Sequence, residues 1–380
     1  MKQPATSIKV ADKGSDYEHG FRTAVSLHAH TRHSKESLGF IPKYAVRVPV
    51  ISSFFRRERN RYFRSNGKSL DFSRGYWTPP VSAQAVYISE TKRIESELGL
   101  DALVSMTDHD DIATANSLKT SHLFQGLPIS LEWTVPFEES VLHLGIHNLP
   151  PRTLSEIMSG LSSYALQPQE GMLEELLAWI GEYPDTLVVL NHPFSDLRSI
   201  GPQRIRQLAF DFLNRHKHVI HALEMNGYRS WMENRNAISL AETFRLPVVS
   251  GGDRHGCAPN AVLNLTNAKT FSEFVSEIRK DKVSYVLVMP EYRDNLFTRF
   301  LESLADFFRE YPENPLGFQK WTDRVFLQLE DGLVRPLSYY WQRTVPTWVK
   351  SAMLVFRLMV SKRIRPALRM AFSKKEKLSL

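Results

Sequence analysis

The stretch VVSGGDRHGC, residues 248–257, ends an apolar run in two glycines and then presents an aspartate and a histidine. An apolar run that stops at glycine is typical of a buried strand that reaches the edge of a sheet. Asp253 and His255 would then lie just beyond the carboxyl end of that strand. Because α/β folds bind their ligands at this edge, the stretch predicts a fold class and the position of a site together.

Up to about residue 290 the chain alternates short apolar runs with longer amphipathic ones, which indicates βαβ units and a mostly parallel sheet. The predicted strands are Thr23–Leu27, Ala102–Met106, Ile129–Leu131, Val141–Leu144, Leu187–Leu190, Ala222–Met225 and Val248–Ser250. The predicted helices are Pro80–Leu98, Gly171–Glu182, Gln203–Arg215 and Glu233–Phe244. About seven such strands favour an α/β barrel. We expect an N-terminal tail at 1–22, a barrel at 23–290 with a basic insertion at 41–76, and a helical, basic C-terminal extension at 291–380.

The composition is that of a folded globular protein, with 42% hydrophobic and 23% charged residues among 380. The single cysteine, Cys257, excludes an intramolecular disulfide and a thiolate zinc site built by one chain. Residues 1–20 contain no apolar segment of a secretion signal, and no run reaches the roughly 18 apolar residues of a membrane span. We therefore expect a cytoplasmic protein.

The net charge of +7 is concentrated in two segments. Residues 41–76 carry +7 and residues 341–380 carry +9, which leaves −9 for the rest of the chain. The first segment is expected to form a flap that draws anionic substrate to the site. The second contains an amphipathic stretch at 347–377, which could lie on an anionic membrane surface, pack on the barrel or pair with a second chain. Nucleic acid is another candidate partner, and the oligomeric state is left open.

Polar residues follow one predicted strand after another, which indicates that they converge on one rim of the sheet. They are His28 and His30, Asp108 and His109, Glu132, His143, His192, and Asp253 and His255. A set of histidines and carboxylates without thiolates suits borderline divalent metals such as Zn²⁺, Mn²⁺, Fe²⁺ or Ni²⁺. These donors exceed the needs of one ion, so about two or three ions per chain are expected, and clustered ions favour hydrolysis of phosphate esters. The sequence contains no Gly-x-Ser-x-Gly elbow, no P-loop and no Gly-x-Gly-x-x-Gly motif, and it therefore gives no sign of another chemistry.

The same residues resemble the successive motifs of the PHP (polymerase and histidinol phosphatase) superfamily. The resemblance rests on the segments His28–Thr31, Thr107–Asp110, Leu131–Trp133, Asn191–Pro193, Glu224–Gly227 and Gly252–His255, in the family's order. It implies a distorted seven-stranded (β/α) barrel and phosphoester hydrolysis by metal-activated water at a di- or trinuclear centre of Zn, Mn or Fe. The implied ligands are His28, His30, His109, Glu132, His143, His192, Asp253 and His255. Glu132 would bridge ions, and Asp108, His109, Glu132, His192 and Asp253 are the predicted catalytic residues.

One position departs from the family pattern, because Lys35 stands where members commonly place an aspartate. Either Glu36 replaces that ligand or Lys35 binds substrate phosphate. Arg254 and Asn226 are further predicted substrate contacts, and Asp108 is expected to orient a ligand imidazole rather than to bind metal. The expected substrate is a phosphorylated small molecule or a nucleotide.

Two other functions remain open at this point. The chain could be a metal-containing binding or regulatory module with little catalysis, which the lysine at position 35 favours. It could also be a metal-dependent hydrolase of C–N bonds related to the amidohydrolase barrels, which also begin with His-x-His. The arrangement of Glu132 with Asp253 and His255 fits a phosphoesterase better.

Overall fold

The computed structural model describes residues 5–11, 20–39, 49–67, 69, 71–118, 124, 126–328, 332–341, 349–351, 353 and 354. Most of the amphipathic stretch predicted at 347–377, and residues 41–48 of the basic insertion, lie outside the described residues. Within these ranges no helix is both long and apolar enough to cross a membrane.

The strands follow the predicted alternation and add several that the sequence did not reveal. They are Ala5–Val10 (β1), Thr23–Leu27 (β2), Glu36–Ser37 (β3), Gly75–Trp77 (β4), Asp101–Ser105 (β5), Leu131–Phe137 (β6), Ser140–His147 (β7), Leu187–Asn191 (β8), Ala222–Asn226 (β9), Val248–Gly251 (β10), Val262–Thr266 (β11), Val283–Val288 (β12), Val325–Gln328 (β13) and Val334–Pro336 (β14). The α-helices are Pro49–Asn66 (α1), Ala83–Arg93 (α2), Ala113–Leu118 (α3), Leu154–Leu166 (α4), Met172–Gly181 (α5), Pro202–His216 (α6), Trp231–Phe244 (α7), Phe271–Ser276 (α8), Leu296–Phe308 (α9) and Leu337–Tyr340 (α10). Helix α2 continues as the π-helical turn Ile94–Leu98, and α8 continues as Glu277–Asp281.

The prediction of a single seven-stranded barrel is wrong. The described strands form three separate sheets, ordered β1-β12-β11-β2-β5, β10-β9-β8-β7-β6 and β14-β13-β4-β3, and none of them closes on itself. The strands are also mixed in direction, since β11 runs antiparallel to both of its neighbours and β7 runs antiparallel to β6 and β8. The apolar period indicates where a strand lies, but it does not give the direction or the partners of that strand.

The ends of the predicted domains also differ from expectation. Residues 5–10, expected in a tail, form a strand paired in parallel with β12. The C-terminal extension is not purely helical, because β13 and β14 pair with each other and β13 pairs with β4 at the end of the basic insertion. The insertion and the extension therefore meet in one small sheet.

Each large sheet is covered by amphipathic helices, and α6 shows why. Pro202 occupies its first turn, where a missing backbone N–H costs nothing. Ile205, Leu208 and Phe212 recur at helical spacing and are buried against the second sheet. Burial of each such side chain stabilises the fold by about 1.5–3 kcal/mol.

The two large sheets are joined where their strands end. Gly252 N–H donates to Leu27 O, Asp253 N–H to His28 O, and His30 N–H to Arg254 O, at 2.9, 2.7 and 3.0 Å. On the other flank Glu132 N–H donates to Asp108 O at 3.1 Å. These backbone hydrogen bonds bring the residues that follow β2, β5 and β10 together with the start of β6.

Candidate metal centre

Glu132 lies at the middle of a cluster of histidines. It stands on β6, is completely buried, and directs its two carboxylate oxygens to different imidazoles. Oε1 lies 3.1 Å from His192 Nε2 and 3.2 Å from His143 Nδ1. Oε2 lies 3.1, 3.4 and 3.4 Å from His28 Nε2, His30 Nε2 and His109 Nδ1, respectively. One carboxylate thus joins two separate sets of nitrogen donors.

Three groups of side chains bring their ligand atoms within 4.8 Å of one another. They are His30, Glu36, His109 and His255; His28, His30 and Glu132; and His109, Glu132 and His143. Because the groups share His30, His109 and Glu132, they form one continuous cluster. His192 and Asp253 are not members of these groups, although both contact them.

Glu36 belongs to the cluster, whereas Lys35 points elsewhere. The Glu36 carboxylate lies 3.0 Å from His255 Nε2, 3.3 Å from His109 Nε2 and 3.5 Å from His30 Nδ1. The Ser34 hydroxyl donates to it at 2.6 Å. Lys35 is exposed, and its Nζ lies 5.8 Å from the centre of the Tyr76 ring. Glu36 therefore lies among the ligand atoms of the cluster, whereas Lys35 does not.

Asp253 closes the other side of the cluster. Its Oδ1 lies 3.6 Å from His30 Nε2, and its Oδ2 accepts hydrogen bonds from Asn226 at 3.2 Å and from Arg229 at 3.4 Å. Asn226 thus contacts a cluster carboxylate, and its role as a substrate contact stays a prediction. Arg229, which the sequence pattern did not single out, is partly exposed beside this carboxylate.

Glu224 is a second residue that the sequence reasoning missed. Its Oε1 lies 2.5 Å from His28 Nδ1, and its Oε2 accepts from His192 N–H at 2.8 Å and from Asn226 Nδ2 at 2.9 Å. A carboxylate on one nitrogen of a histidine fixes the tautomer and frees the other nitrogen for metal. The available signal was period two on β9, since Glu224 and Asn226 share a face of that strand.

Three cluster residues have left-handed backbone conformations. His28, His192 and Asp253 have φ values of 61°, 25° and 50°, and each follows directly or closely on a strand. Residues other than glycine adopt such angles at a cost, and they persist where the surrounding contacts hold them. Here the hydrogen bond from Asp253 N–H to His28 O, at 2.7 Å, is one of those contacts.

The carboxylates of the cluster are held in their ionised form. Burial alone would raise the pKa of Glu132, but the surrounding histidines, with His28 first, lower it well below the usual value. The same balance lowers the pKa of Glu36, through His255 and His109, and that of Asp253, through His30 and His28. Ionised carboxylates are the form that binds cations.

The histidines divide according to their neighbours. Burial opposes protonation of His28 and His109, yet Glu132 with Glu224 raises the pKa of His28, and Glu36 with Glu132 raises that of His109 to about 10. Burial, reinforced by His255, lowers the pKa of His30 to about 4. His30 is therefore neutral at pH 7, which is the form of imidazole that ligates metal.

Several buried polar atoms of the cluster have no hydrogen-bond partner in the described part of the chain, which suits bound cations. Glu132 Oε2, His109 Nδ1 and His143 Nδ1 are buried and have no hydrogen-bond partner among the described residues. Buried polar groups almost always have partners, so three such atoms in one cluster require an explanation. Nitrogen and carboxylate donors without thiolates suit Zn²⁺, Mn²⁺ or Fe²⁺. The residues present fit bound divalent cations.

Arg254 and Asp108 lie outside the ligand groups. Arg254 is buried, ion-paired with Glu90, and donates from Nη1 to Ser89 Oγ at 2.9 Å and from Nη2 to Gly256 O at 2.8 Å. Asp108 accepts from Thr31 N–H at 2.6 Å and from the Thr31 hydroxyl at 2.8 Å, and burial raises its pKa to about 6 despite those bonds. Arg254 stabilises the loop after β10, and Asp108 fixes the loop after His30.

Comparisons with known proteins assign no family to this chain. The sequence matches no protein-family profile and no curated protein. Among solved structures, the chain is similar to an amidohydrolase from Chromobacterium violaceum, with 16% identity, a TM-score of 0.32, and 47% of this chain and 83% of that chain covered. It is also similar to a candidate metal-dependent phosphoesterase from Bifidobacterium adolescentis, with 17% identity, a TM-score of 0.33, and 53% and 90% covered. At such scores the likeness assigns neither family nor activity, and the candidate site rests on its own geometry.

Proposed function

We propose that this protein is a hydrolase that cleaves phosphate esters with the help of divalent cations held by the cluster around Glu132. The observation that carries the proposal is the Glu132 carboxylate, whose two oxygens face separate sets of histidines in a fully buried position. A carboxylate that serves two sets of nitrogen donors suits a bridging ligand. Bridged cations about 3.5–4 Å apart are a common arrangement for hydrolysis of phosphate esters.

The residues that would hold cations follow from the three ligand groups. They are His28, His30, Glu36, His109, Glu132, His143 and His255, with Asp253 and His192 beside them. Bound cations would supply positive charge to polarise the phosphate and would lower the pKa of water. Two or three sites are proposed, because the groups overlap in only three residues.

The protein's own side chains would then position the reaction. His109, His143 and His255 form the accessible edge of the cluster, with side chains 15%, 10% and 18% exposed. Arg229 is partly exposed beside Asp253, and its guanidinium could pair with phosphate oxygens in two parallel hydrogen bonds. Glu224 holds His28, and Asn226 holds Asp253, so that neither ligand has to be ordered when substrate arrives.

The test compares the unmodified protein with a Glu132→Gln variant. The amide keeps the shape of the side chain but cannot bridge cations, so release of p-nitrophenol from p-nitrophenyl phosphate should fall by more than about 100-fold. Metal content, measured by elemental analysis of protein prepared without chelator, should fall in the same variant. Glu156→Gln, on the exposed face of α4, removes the same charge elsewhere and should change neither quantity.

Two results would reject the proposal. One is full phosphatase activity after exhaustive treatment with a chelator. The other is unmodified protein that contains less than about one equivalent of metal, because the cluster would then hold no pair of bridged cations.

A further inference from the structure

Helix α1 presents a positively charged surface with an aromatic ring in it. Its second half exposes Arg56, Arg57, Arg59, Arg61 and Arg64. Phe63 is 53% exposed, and it shares a helix face with Arg56 and Arg59 because the three are spaced at i, i+3 and i+7. An exposed aromatic ring among arginines is costly in water, but it is favourable at the boundary between lipid chains and phosphate headgroups.

The base of this helix is anchored to the small sheet. The Phe55 ring stacks on Phe72 at 5.8 Å, and Phe72 packs against the cluster that contains Trp77 and Val325. Leu337, the first residue of α10, packs against the same cluster. Through these contacts α1, the small sheet and α10 form one packed structure.

That structure exposes further apolar side chains. Leu333 and Val334, at the start of β14, are 51% and 47% exposed, and Tyr339 on α10 is 46% exposed. The guanidinium of Arg335 stacks over the Tyr339 ring at 4.4 Å. Directly after α10, the sequence carries +9 over residues 341–380.

We propose that α1, together with the exposed edge formed by β14 and α10, is a docking surface for a membrane that contains anionic phospholipids. Positive charge alone would serve a nucleic acid equally well. The exposed aliphatic residues Leu333 and Val334 decide between these partners, because nucleic acids offer phosphates and base faces but no aliphatic phase. The charge of the surface complements anionic headgroups, while the remainder of the chain, outside 41–76 and 341–380, carries −9 and is repelled by them.

The surface adjoins the metal cluster without being part of it. Glu36 pairs with Trp77 in the small sheet, and the Trp77 ring lies 5.8 Å from the His255 ring. The proposal does not depend on the hydrolase activity, and all binding measurements are made with EDTA so that cations at the cluster cannot bind lipid phosphate.

The experiment measures sedimentation of the full chain with vesicles, at low and at high salt. It compares vesicles of phosphatidylcholine alone with vesicles that contain about 30% phosphatidylserine. The variant replaces Arg56, Arg57, Arg59 and Arg61 by glutamine. Each arginine near an anionic surface contributes about fivefold in affinity, so the partition coefficient should fall by more than about 100-fold. The matched control replaces Arg152, Arg198, Arg206 and Arg235 by glutamine. These residues are exposed outside the proposed surface. The control removes the same charge as the α1 variant, and it should bind vesicles like the unmodified chain.

A second variant, Phe63→Ser, tests the apolar part and should weaken binding while leaving its dependence on phosphatidylserine intact. The proposal is overturned if the α1 variant and the matched control bind vesicles equally. It is also overturned if the unmodified chain fails to sediment with anionic vesicles but binds a nucleic acid of about 20 nucleotides, as a duplex or a single strand, and the α1 variant loses that binding. The surface would then bind nucleic acid.

Discussion

Replacing Gly251 by alanine should disrupt the metal cluster from behind. A methyl group at this position would overlap the Oε1 and Cδ atoms of Glu224 and lie 2.7 Å from its Cγ. The backbone of Gly251 does not have a left-handed φ, so the glycine is required for space and not for conformation. The Glu224 carboxylate must therefore move, and with it the contacts to His28 Nδ1 at 2.5 Å and His192 N–H at 2.8 Å.

The magnitude follows from those contacts. A hydrogen bond to a buried charged group contributes about 1.5–3 kcal/mol, so losing two of them should lower the free energy of unfolding by about 3–6 kcal/mol. Affinity for divalent metal should fall by about 10- to 100-fold, because His28 loses the carboxylate that orients it. Urea denaturation in EDTA measures the first quantity, and competition with a chromophoric chelator measures the second.

A double-mutant cycle identifies the cause. With Glu224→Ala the carboxylate that the methyl group would meet is gone, so adding Gly251→Ala should cost almost nothing further, and the coupling free energy should equal the cost of Gly251→Ala alone, about 3–6 kcal/mol. Gly39→Ala is the control, because its methyl group would meet only Ser37 Oγ, at 3.2 Å. Additive losses in the double variant would refute the steric argument.

Three further predictions test other parts of the structure. Arg254→Met should destabilise the fold by about 3–5 kcal/mol in thermal or urea denaturation, because Glu90 is left buried and unpaired, and Glu90→Leu in the same chain should restore part of the loss; no recovery would contradict a role for the pair. His221 is buried and accepts a hydrogen bond from Val188 N–H, and burial together with Arg279 lowers its pKa. Its contribution to stability is therefore present above its unfolded pKa of about 6.5 and is lost at about 1.4 kcal/mol per pH unit below it. His221→Gln should flatten the dependence of the unfolding free energy on pH between about pH 6.5 and 5, and an unchanged slope would refute this. Glu36→Gln should lower the bound metal measured by elemental analysis while Lys35→Gln leaves it unchanged, and the reverse result would make Lys35 the functional residue at this position.

Part of the candidate site could be predicted from the sequence, because several of its residues follow strands whose apolar pattern is local. Glu132 and His143, which were expected at strand ends, lie within β6 and β7. The predicted strands at Thr23–Leu27 and Val248–Ser250 agree with the observed β2 and β10 to within one residue. Each is followed by histidine or aspartate, and a strand end is where a side chain can leave the sheet. Convergence of His28, His30 and Asp253 therefore needed only the assumption that the strands share one direction.

Other members of the site depended on contacts that no local pattern contains. Glu36 was one of two candidates beside a departure from the family pattern, and only its distances to His255, His109 and His30 separate it from Lys35. Arg254 stands between two cluster residues in sequence, yet its guanidinium pairs with Glu90, which is 164 positions away. The alternation of side chains along an extended backbone predicts that Arg254 points away, but it does not predict what it meets there.

The sequence by itself therefore determined the ends of β2 and β10 to within one residue, that the donors are imidazole and carboxylate, and that positive charge is concentrated in two segments, because these properties depend on neighbouring residues. The tertiary structure alone decided that the described strands form three sheets instead of one barrel, that Glu132 divides its oxygens between two sets of histidines, and that β4 of the basic insertion pairs with β13 of the C-terminal extension. Strand partners are set by side-chain packing and hydrogen bonds between residues far apart in the chain, and the period of hydrophobic residues contains no record of those partners.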